Sequence, residues 1–557
     1  MFRIISKSKA SKFHAFTTRV PGMSRTVSST TETDKYFRFT SGRWLWNERE
    51  QNEVRYTPFD PRELIRVSCK ATGARSCTLF TKLEEGSYNK AFRLTLDDSI
   101  NVIARIPCPL AGPSYLVTAS EVATLQFTRE VLKLPVPRVI TWSGAAQDRT
   151  NNVGTDFIIM EEAPGVPLVK RWTQLPTADD VRPALQGILD LERKLESLRF
   201  SRIGSLYFKE DVRPDLRDVP LLSGDVDDAT LRLAERYCIG PLIDRQWWRG
   251  DRAHMRLDRG PWPDTLSYFT AAAKNEQILI AQQSQKPTHY RRKPTHDFPT
   301  HSKLLSMYID AAPHFLPTDD DLCAPTLWHP DLHLNNTFAS SSGPGEIQSI
   351  IDWQHATVLP FFMSMSVPPA LIYEGDKIDI HQPIPQLPAN FEELTPDDQA
   401  VCRLELRLAY RQKWYQFRVS GDSRRKRGCS LPHLESLMML PTYVTRAWAD
   451  GILDLREALD QVRANWTTIA GPGVPCPIEF GSEEMMEHKK QMEAFQRYKA
   501  VIALMNSRLQ CGGDGLVLDK DYSTSQKMIA DVEKLWDENI TGSPFPYRDG
   551  EYSFFLS

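Results

Sequence analysis

The sequence predicts an α+β protein in which a small antiparallel sheet comes first and a mainly helical part follows. Three observations predict it. Cys77 to Arg105 reads as strands separated by turn signals, and Phe157-Ile-Ile-Met160 adds one more strand. From Thr177 onward the spacing becomes helical, with Leu185, Ile188, Leu189, Leu191, Leu195 and Leu198 forming the first apolar face. The chain has 557 residues, enough for two ordinary domains or one two-lobed domain with extensions.

Taken in order, residues 1–31 carry Arg3, Lys7, Lys9, Lys12, Arg19 and Arg25 and no acidic residue before Glu32. Phe2, Ile4, Ile5, Phe13 and Phe16 can form an apolar face, and Ser and Thr are frequent. A basic, acid-poor, Ser-rich start reads as a mitochondrial transit peptide, with a solvated basic tail as the alternative. Residues 1–35 are therefore set apart as a leader. Arg38 to Asn47 is rich in aromatic residues, and Pro58 to Val67 reads as a short helix ahead of the sheet.

In the strand region, Leu79 and Phe80 precede a turn at Glu84–Asn89. Alternation at Ala91–Leu96, a turn at Asp97–Ser99 and the run Ile100–Arg105 follow. A glycine between two strands lets backbone N–H groups approach phosphate oxygens. Gly86, Ser87 and Asn89 are thus candidates for a nucleotide loop, although the same residues are ordinary in a hairpin turn. Thr118 to Phe127 reads as a helix capped by Thr118 or Ser120, which places Glu121 in its first turn, where a carboxylate also suits the helix dipole.

In the helical part, the apolar run begins at Val181. Trp247, Trp248, Trp262 and Tyr268 read as core aromatics before they read as an acceptor pocket. The basic pieces Tyr290–Lys293 and Arg424–Arg427 read as loops of solvated charge. Ser302–Asp310, Asp397–Val419, Leu431–Ala464 and Glu483–Met505 read as helices, and Gly512–Gly515 as a plain loop. The formal net charge of −3 shows no basic excess of the kind a nucleic-acid partner requires. No run approaches eighteen apolar residues, so no membrane span is expected. Nine scattered cysteines without a Cys-x-x-Cys pair suit reduced thiols and argue against a disulfide framework or a structural zinc site.

The chemistry is concentrated in Leu327–Phe338, with the form His-x-Asp-x-x-x-x-Asn, and in Ser349–Gln354, an apolar run ending in Asp352. Phosphoryl transfer needs a carboxylate to take or orient the proton of the attacking hydroxyl. It also needs oxygen ligands for the metal that bridges the phosphates. Asp331 can be the first, and Asn336 and Asp352 the second. Asp331 and Asn336 lie close enough for one loop to hold both, and Ile347–Ile351 reads as a buried strand delivering Asp352. A bare match to this spacing is weak; the strand–turn–strand context and the Asp after two isoleucines strengthen it.

These segments resemble the catalytic loop and metal-binding strand of aminoglycoside phosphotransferase-like (choline-kinase-like) enzymes. With Phe37-Arg-Phe-Thr-Ser-Gly-Arg-Trp-Leu-Trp-Asn47, the chain resembles the fungal altered-inheritance-of-mitochondria group within them, over roughly residues 36 to 545. The resemblance implies a bilobal protein-kinase-like fold. It places an N-lobe at 36–165, a helical C-lobe at 166–545 with the catalytic loop (327–338) and metal strand (347–354), and a tail at 546–557. It implies Asp331 as base, His329 as scaffold of its loop, and Asn336 and Asp352 as Mg²⁺ ligands. Arg105 becomes a phosphate clamp and Glu121 its partner, with Gly86, Ser87 and Asn89 at the phosphates. Met160 and Glu162 begin the hinge that would hold an adenine ring, and Phe200–Phe208 corresponds to a small hairpin.

The expected function is Mg²⁺-dependent transfer of the ATP γ-phosphoryl group to a hydroxyl of an unidentified small molecule in mitochondria. The sequence departs from the pattern in three places: one glycine in the loop where protein kinases carry three, Arg105 where a lysine is usual, and Gln354 where many relatives carry an acid. A catalytically silent nucleotide-binding or scaffold protein is the alternative those departures support. A protein-serine kinase would carry Asp-Phe-Gly and Ala-Pro-Glu, which are absent after Asp352.

Overall fold

The computed structural model describes residues 16–19, 30–144, 150–284, 298–538 and 545–549. The first part is a six-stranded antiparallel sheet in the spatial order Phe16–Arg19, Cys77–Lys82, Asn89–Leu96, Asn101–Pro107, Phe157–Glu161, Val139–Ser143. Alternation sorts its two faces. Phe92, Leu94, Leu96, Val102, Ala104, Ile106, Phe157 and Ile159 point one way and bury a core with Phe59 and Leu64. The Phe80 and Phe92 rings stack there at 5.0 Å. Leu64 belongs to the helix Pro61–Thr72, which Asp60 caps by accepting from the N–H groups of Arg62 and Glu63 and which Gly73 ends at φ 80°. Arg105, on the opposite parity, faces the other side of the sheet beside Ala91 and Ile158.

The helix behind that second face, Leu116–Glu130, starts earlier than the sequence predicts. Neither Thr118 nor Ser120 caps it. Asp156, from the loop before Phe157, accepts from the Ser114 hydroxyl at 2.9 Å and from the Tyr115 N–H at 2.5 Å. A distant carboxylate thus serves the helix start, and Glu121 lies beyond the first turn, so the dipole does not account for it.

The chain leaves the sheet at Glu161 and enters a second, three-stranded sheet. In it Val166–Pro167 pairs with Thr337–Ala339, which pairs with Ile347–Ile350. Gly165 makes the crossing possible: its φ is +88°, and a Cβ there would lie 2.4 Å from the Ala339 carbonyl oxygen. The connection between the two parts is therefore built into the same sheet that carries the 327–354 segment. A continuous core runs from Ile158 and Met160 through Leu185, Ile188 and Leu189 to Leu327, Ile350 and Trp353.

The second part is mainly helical, giving the α+β, two-lobed architecture expected. Ala178–Glu196 carries a capping box between Thr177 and Asp180. Thr265–Ser284, Phe298–Phe315, Leu434–Asp450 and Leu453–Ala464 surround a core containing Trp247, Trp262 and Tyr268. Gly451 at φ 90° separates the last two helices, which the sequence reads as one segment. Phe200–Phe208 is not a hairpin. Arg199–Phe200 pairs with Leu222–Ser223, and Ser205–Phe208 with Tyr237–Gly240, because each strand finds its partner later in the chain. Arg424–Arg427 is not solvated charge either. Arg424 donates to the Asp321 carbonyl and lies over Phe361, Arg425 is buried against Glu192 and Glu196, and Arg427 bridges Asp319 and Asp321. The basic piece Tyr290–Lys293 lies outside the described residues.

Residues 43–47 meet residues 514–549. Arg43–Trp44 pairs with Leu516–Val517, and the Trp46 and Tyr547 rings lie 4.7 Å apart. The Trp44 indole donates to Asp514 at 3.0 Å, and the Asn47 N–H donates to Asp549 at 2.6 Å. Most of the leader, residues 1–15 and 20–29, and residues 550–557 of the tail lie outside the described residues. Among those described, no helix is long and apolar enough to cross a membrane.

Candidate active site

The loop between Pro325–Trp328 and Thr337–Ala339 is held by His329. Its Nδ1 accepts from the Asp331 N–H at 3.1 Å, so the ring proton sits on Nε2, 3.0 Å from the Ile351 carbonyl it donates to. One buried imidazole thereby ties the start of the loop to the residue before Asp352. Burial lowers its pKa to about 4, outweighing the Ile351 hydrogen bond and the Asp352 charge, and the ring stays neutral. The Trp353 ring closes over it edge-on at 4.6 Å.

Asn336 is buried at the other end of the loop. Its Nδ2 donates to the Asp331 carbonyl at 3.0 Å and its own carbonyl accepts from the Ile351 N–H at 2.9 Å, which leaves Oδ1 as the atom a cation would take. Asp352 follows the strand end at φ 66°, a left-handed conformation that Asp tolerates better than most residues. Burial alone would raise the Asp352 pKa; the Arg105 guanidinium overcomes this and holds it below the usual carboxylate range. Asp331 is exposed at the mouth. Its pKa is raised by partial burial and by Asp352, against the pull of His333.

His333 is a partner of Asp331 that the His-x-Asp-x-x-x-x-Asn form does not single out. Its Nδ1 accepts from the N–H groups of Asn335 and Asn336 at 3.2 and 3.3 Å, which turns Nε2 to the Asp331 carboxylate at 3.3 Å. The signal in the sequence is its place two residues after Asp331, although a histidine between Leu332 and Leu334 reads equally as a packed residue.

Arg105 lies between two carboxylates, Glu121 on the helix and Asp352 at the strand end, and donates to both. The expected Arg105–Glu121 pair is present in the geometry. The contact to Asp352 goes beyond what the spacing predicts: it joins the sheet directly to the end of the strand Ile347–Ile350. Burial raises the Glu121 pKa to about 7, with Arg105 lowering it and Asp352 raising it.

The nucleotide-loop residues are arranged differently. Gly86 has no positive φ and a Cβ there would meet nothing within 4 Å, so its backbone makes no demand for glycine. Gly86 and Ser87 are exposed. Asn89 is engaged by Gln354 in a reciprocal amide pair, Nδ2 to Oε1 at 2.9 Å and Nε2 to Oδ1 at 3.0 Å. Gln354 thus occupies the place of the missing acid as a clip between sheet and catalytic strand. Met160 is buried in the core, and the Glu162 carboxylate accepts from Arg93. Both therefore border the hinge with side chains already committed elsewhere.

Among the described residues no cluster of three or more His, Cys, Asp or Glu could hold a metal ion. One Asp and one Asn oxygen nevertheless suit Mg²⁺, which keeps water and takes phosphate oxygens for the rest of its shell.

Residues 80–363 match the phosphotransferase enzyme family. The chain belongs to that family. A subtelomeric hrmA-associated cluster protein of Aspergillus fumigatus is 31% identical to it, over 85% of this chain and 97% of that protein. Altered inheritance of mitochondria protein 9, mitochondrial, of Yarrowia lipolytica is 25% identical, over 84% of this chain and 82% of that protein. The mitochondrial location expected from residues 1–31 agrees with the name of the Yarrowia protein. Among solved structures, the GDP complex of wild-type aminoglycoside 2′-phosphotransferase-IIIa is 13% identical with a TM-score of 0.31, covering 73% of this chain and 99% of that one.

Proposed function

We propose that this phosphotransferase-family protein acts in mitochondria, transferring the γ-phosphoryl group of ATP to a hydroxyl of a small molecule with the help of Mg²⁺. The observation that carries the reading is a single unit: His329 fixes the loop bearing Asp331 and Asn336 to the strand end bearing Asp352. In this reading the lobes divide at 36–165 and 166–545, and the ligands meet between them. Asp331, exposed and held by His333, accepts the proton of the acceptor hydroxyl. Asn336 Oδ1 and the Asp352 carboxylate would hold Mg²⁺, whose charge would stabilise the phosphates. Arg105 grips phosphate oxygens, and Glu121 keeps its guanidinium oriented. The backbone after Met160, at Glu161 and Glu162, borders the adenine, and the 86–89 loop borders the phosphates.

A second reading, a catalytically silent nucleotide-binding or scaffold protein, is favoured by specific contacts. Arg105 is bonded to Asp352, and Asn89 to Gln354, so the groups that would meet phosphate and metal already satisfy each other. The deciding experiment measures Mg-dependent ATP binding and then turnover against a metabolite panel, for wild type and Asp331→Ala. Turnover that disappears in the variant supports the enzyme; binding without turnover supports the silent protein. Turnover that survives Asp331→Ala refutes the assigned base.

A further inference from the structure

We propose that Arg245 is an anion-binding residue of the cleft, with its guanidinium open to a phosphate group that enters beside Tyr88. The existence of the site rests on side chains alone; which phosphate it takes rests on the phosphotransferase reading.

Arg245 begins the short turn Arg245–Trp247, which Asp244 caps by accepting from the Gln246 N–H at 2.8 Å. Its guanidinium lies over the Tyr88 ring, 4.1 Å from the centroid. Nη1 donates to the Tyr88 hydroxyl, and Nε donates to the Leu110 carbonyl at 3.3 Å. All these partners are neutral, and no carboxylate among the described residues forms an ion pair with it. Three other buried arginines differ. Arg252 pairs with Glu276, and Arg425 with Glu192 and Glu196. Arg411 has no acid, but carbonyls take both of its Nη groups, at 2.6 and 2.8 Å. Only for Arg245, among these, does no acceptor among the described residues take Nη2. Asp244 acts on it through space and accepts no bond from its fork, and a half-buried cation with no carboxylate bonded to it favours an arriving anion.

The surroundings select the same sign of charge. Arg55, near enough to Tyr88 and Arg245 to interact with both, is 2% exposed and stacks on Trp44 at 4.6 Å; among the described residues no carboxylate is bonded to it and its Nε has no partner, with Asp514 acting through space. Lys82 and Lys90, also buried, share Glu85 at 2.8 and 2.7 Å. Of the four cations beneath and beside the loop, only these two have a carboxylate, and they have the same one. Tyr88 connects this region to the catalytic strand: its ring meets His355 edge-on at 5.9 Å, and its neighbour Asn89 is bonded to Gln354. Arg245 therefore stands on the wall that leads to Asp352. A planar guanidinium with free N–H groups in cationic surroundings recognises an oxyanion, and phosphate fits its fork. The phosphate chain of a nucleotide and a phosphate carried by the acceptor offer the same chemistry.

The test is calorimetric titration of the full chain, as wild type, Arg245→Gln and Arg245→Lys, with inorganic tripolyphosphate, MgATP and adenosine. Tripolyphosphate should bind wild type and weaken about ten-fold or more in Arg245→Gln, with a smaller loss in Arg245→Lys and no change for adenosine. If MgATP weakens in parallel, the anion is the nucleotide's; if MgATP is unchanged, it is the acceptor's. If tripolyphosphate depends on Arg245 while no nucleotide binds wild type, the anion site stands and the phosphotransferase reading falls. Should Arg245→Gln fail to fold, Arg245→Lys decides. Equal tripolyphosphate affinity in the folded variants and wild type, or none in wild type in the millimolar range, overturns the proposal.

Discussion

The helical side and the sheet side of the site are built on opposite principles. On the helical side, hydrogen bonds among His329, Asn336 and the backbone hold the loop, and the atoms chemistry would use make no bond to the sheet: the exposed Asp331 carboxylate, beside His333 of the same loop, and Asn336 Oδ1. On the sheet side, the corresponding groups are bonded across the cleft, Arg105 to Asp352 and Asn89 to Gln354. One side is fixed by its own scaffold, the other by gripping its neighbour. Substitution of the outward groups on the first should therefore cost activity at little cost in stability, and substitutions on the second should cost stability as well.

Asp331→Ala is the sharpest form of the contrast. Turnover should fall by about 10²–10⁴-fold, the range for losing a general base, while urea denaturation moves by no more than about 0.5 kcal/mol because the side chain is exposed. A large stability loss would break the comparison. Arg105→Ala comes next: it strands Glu121 in the core, and unfolding free energy should drop by about 3–5 kcal/mol. The double variant Arg105→Met with Glu121→Leu should regain much of that stability without regaining activity.

Asn89→Ala should cost about 1–3 kcal/mol by leaving the Gln354 amide half-satisfied and buried. The pH dependence is the smallest effect. His329 and His355 have pKa values lowered to about 4 by burial, so their contribution is present above their unfolded value near 6.5 and is lost as pH falls through 4. Glu121, raised to about 7 by burial, acts with the opposite sign: its contribution is full below 4.5 and is lost as pH rises through 7. The two partly cancel between pH 4.5 and 6.5. Glu121→Gln removes the cancelling partner, so denaturation measured from pH 7 to 4 should show a decline steeper by on the order of 1 kcal/mol. An unchanged slope would mean that Glu121 does not titrate in this window.

The same contrast decides what was legible in the sequence. The strands from Cys77 to Pro107 and the helix Ala178–Glu196 were readable because local alternation and caps coincide with burial. The His329–Asp352 segment was readable because its spacing is short and its strand context local. What could not be read were contacts bridging large sequence separations: Asp156 at the helix start, Asn89 with Gln354, Arg105 with Asp352, and Tyr88 with Arg245. Arg424–Arg427 misled for the same reason, since its carboxylate partners lie about a hundred residues or more upstream. No local pattern encodes such pairs.

The meeting of residues 43–47 with residues 514–549 has a consequence for how the protein is made. Thr40 and Ser41 brace Glu85, which anchors the base of the 84–89 loop, and Trp44 and Asn47 in turn lean on Asp514 and Asp549. The support for the loop is completed only once residues 514–549 have been synthesised. A premature stop codon near position 510, sparing every residue of the family motif, would still release a chain whose cleft is unbraced.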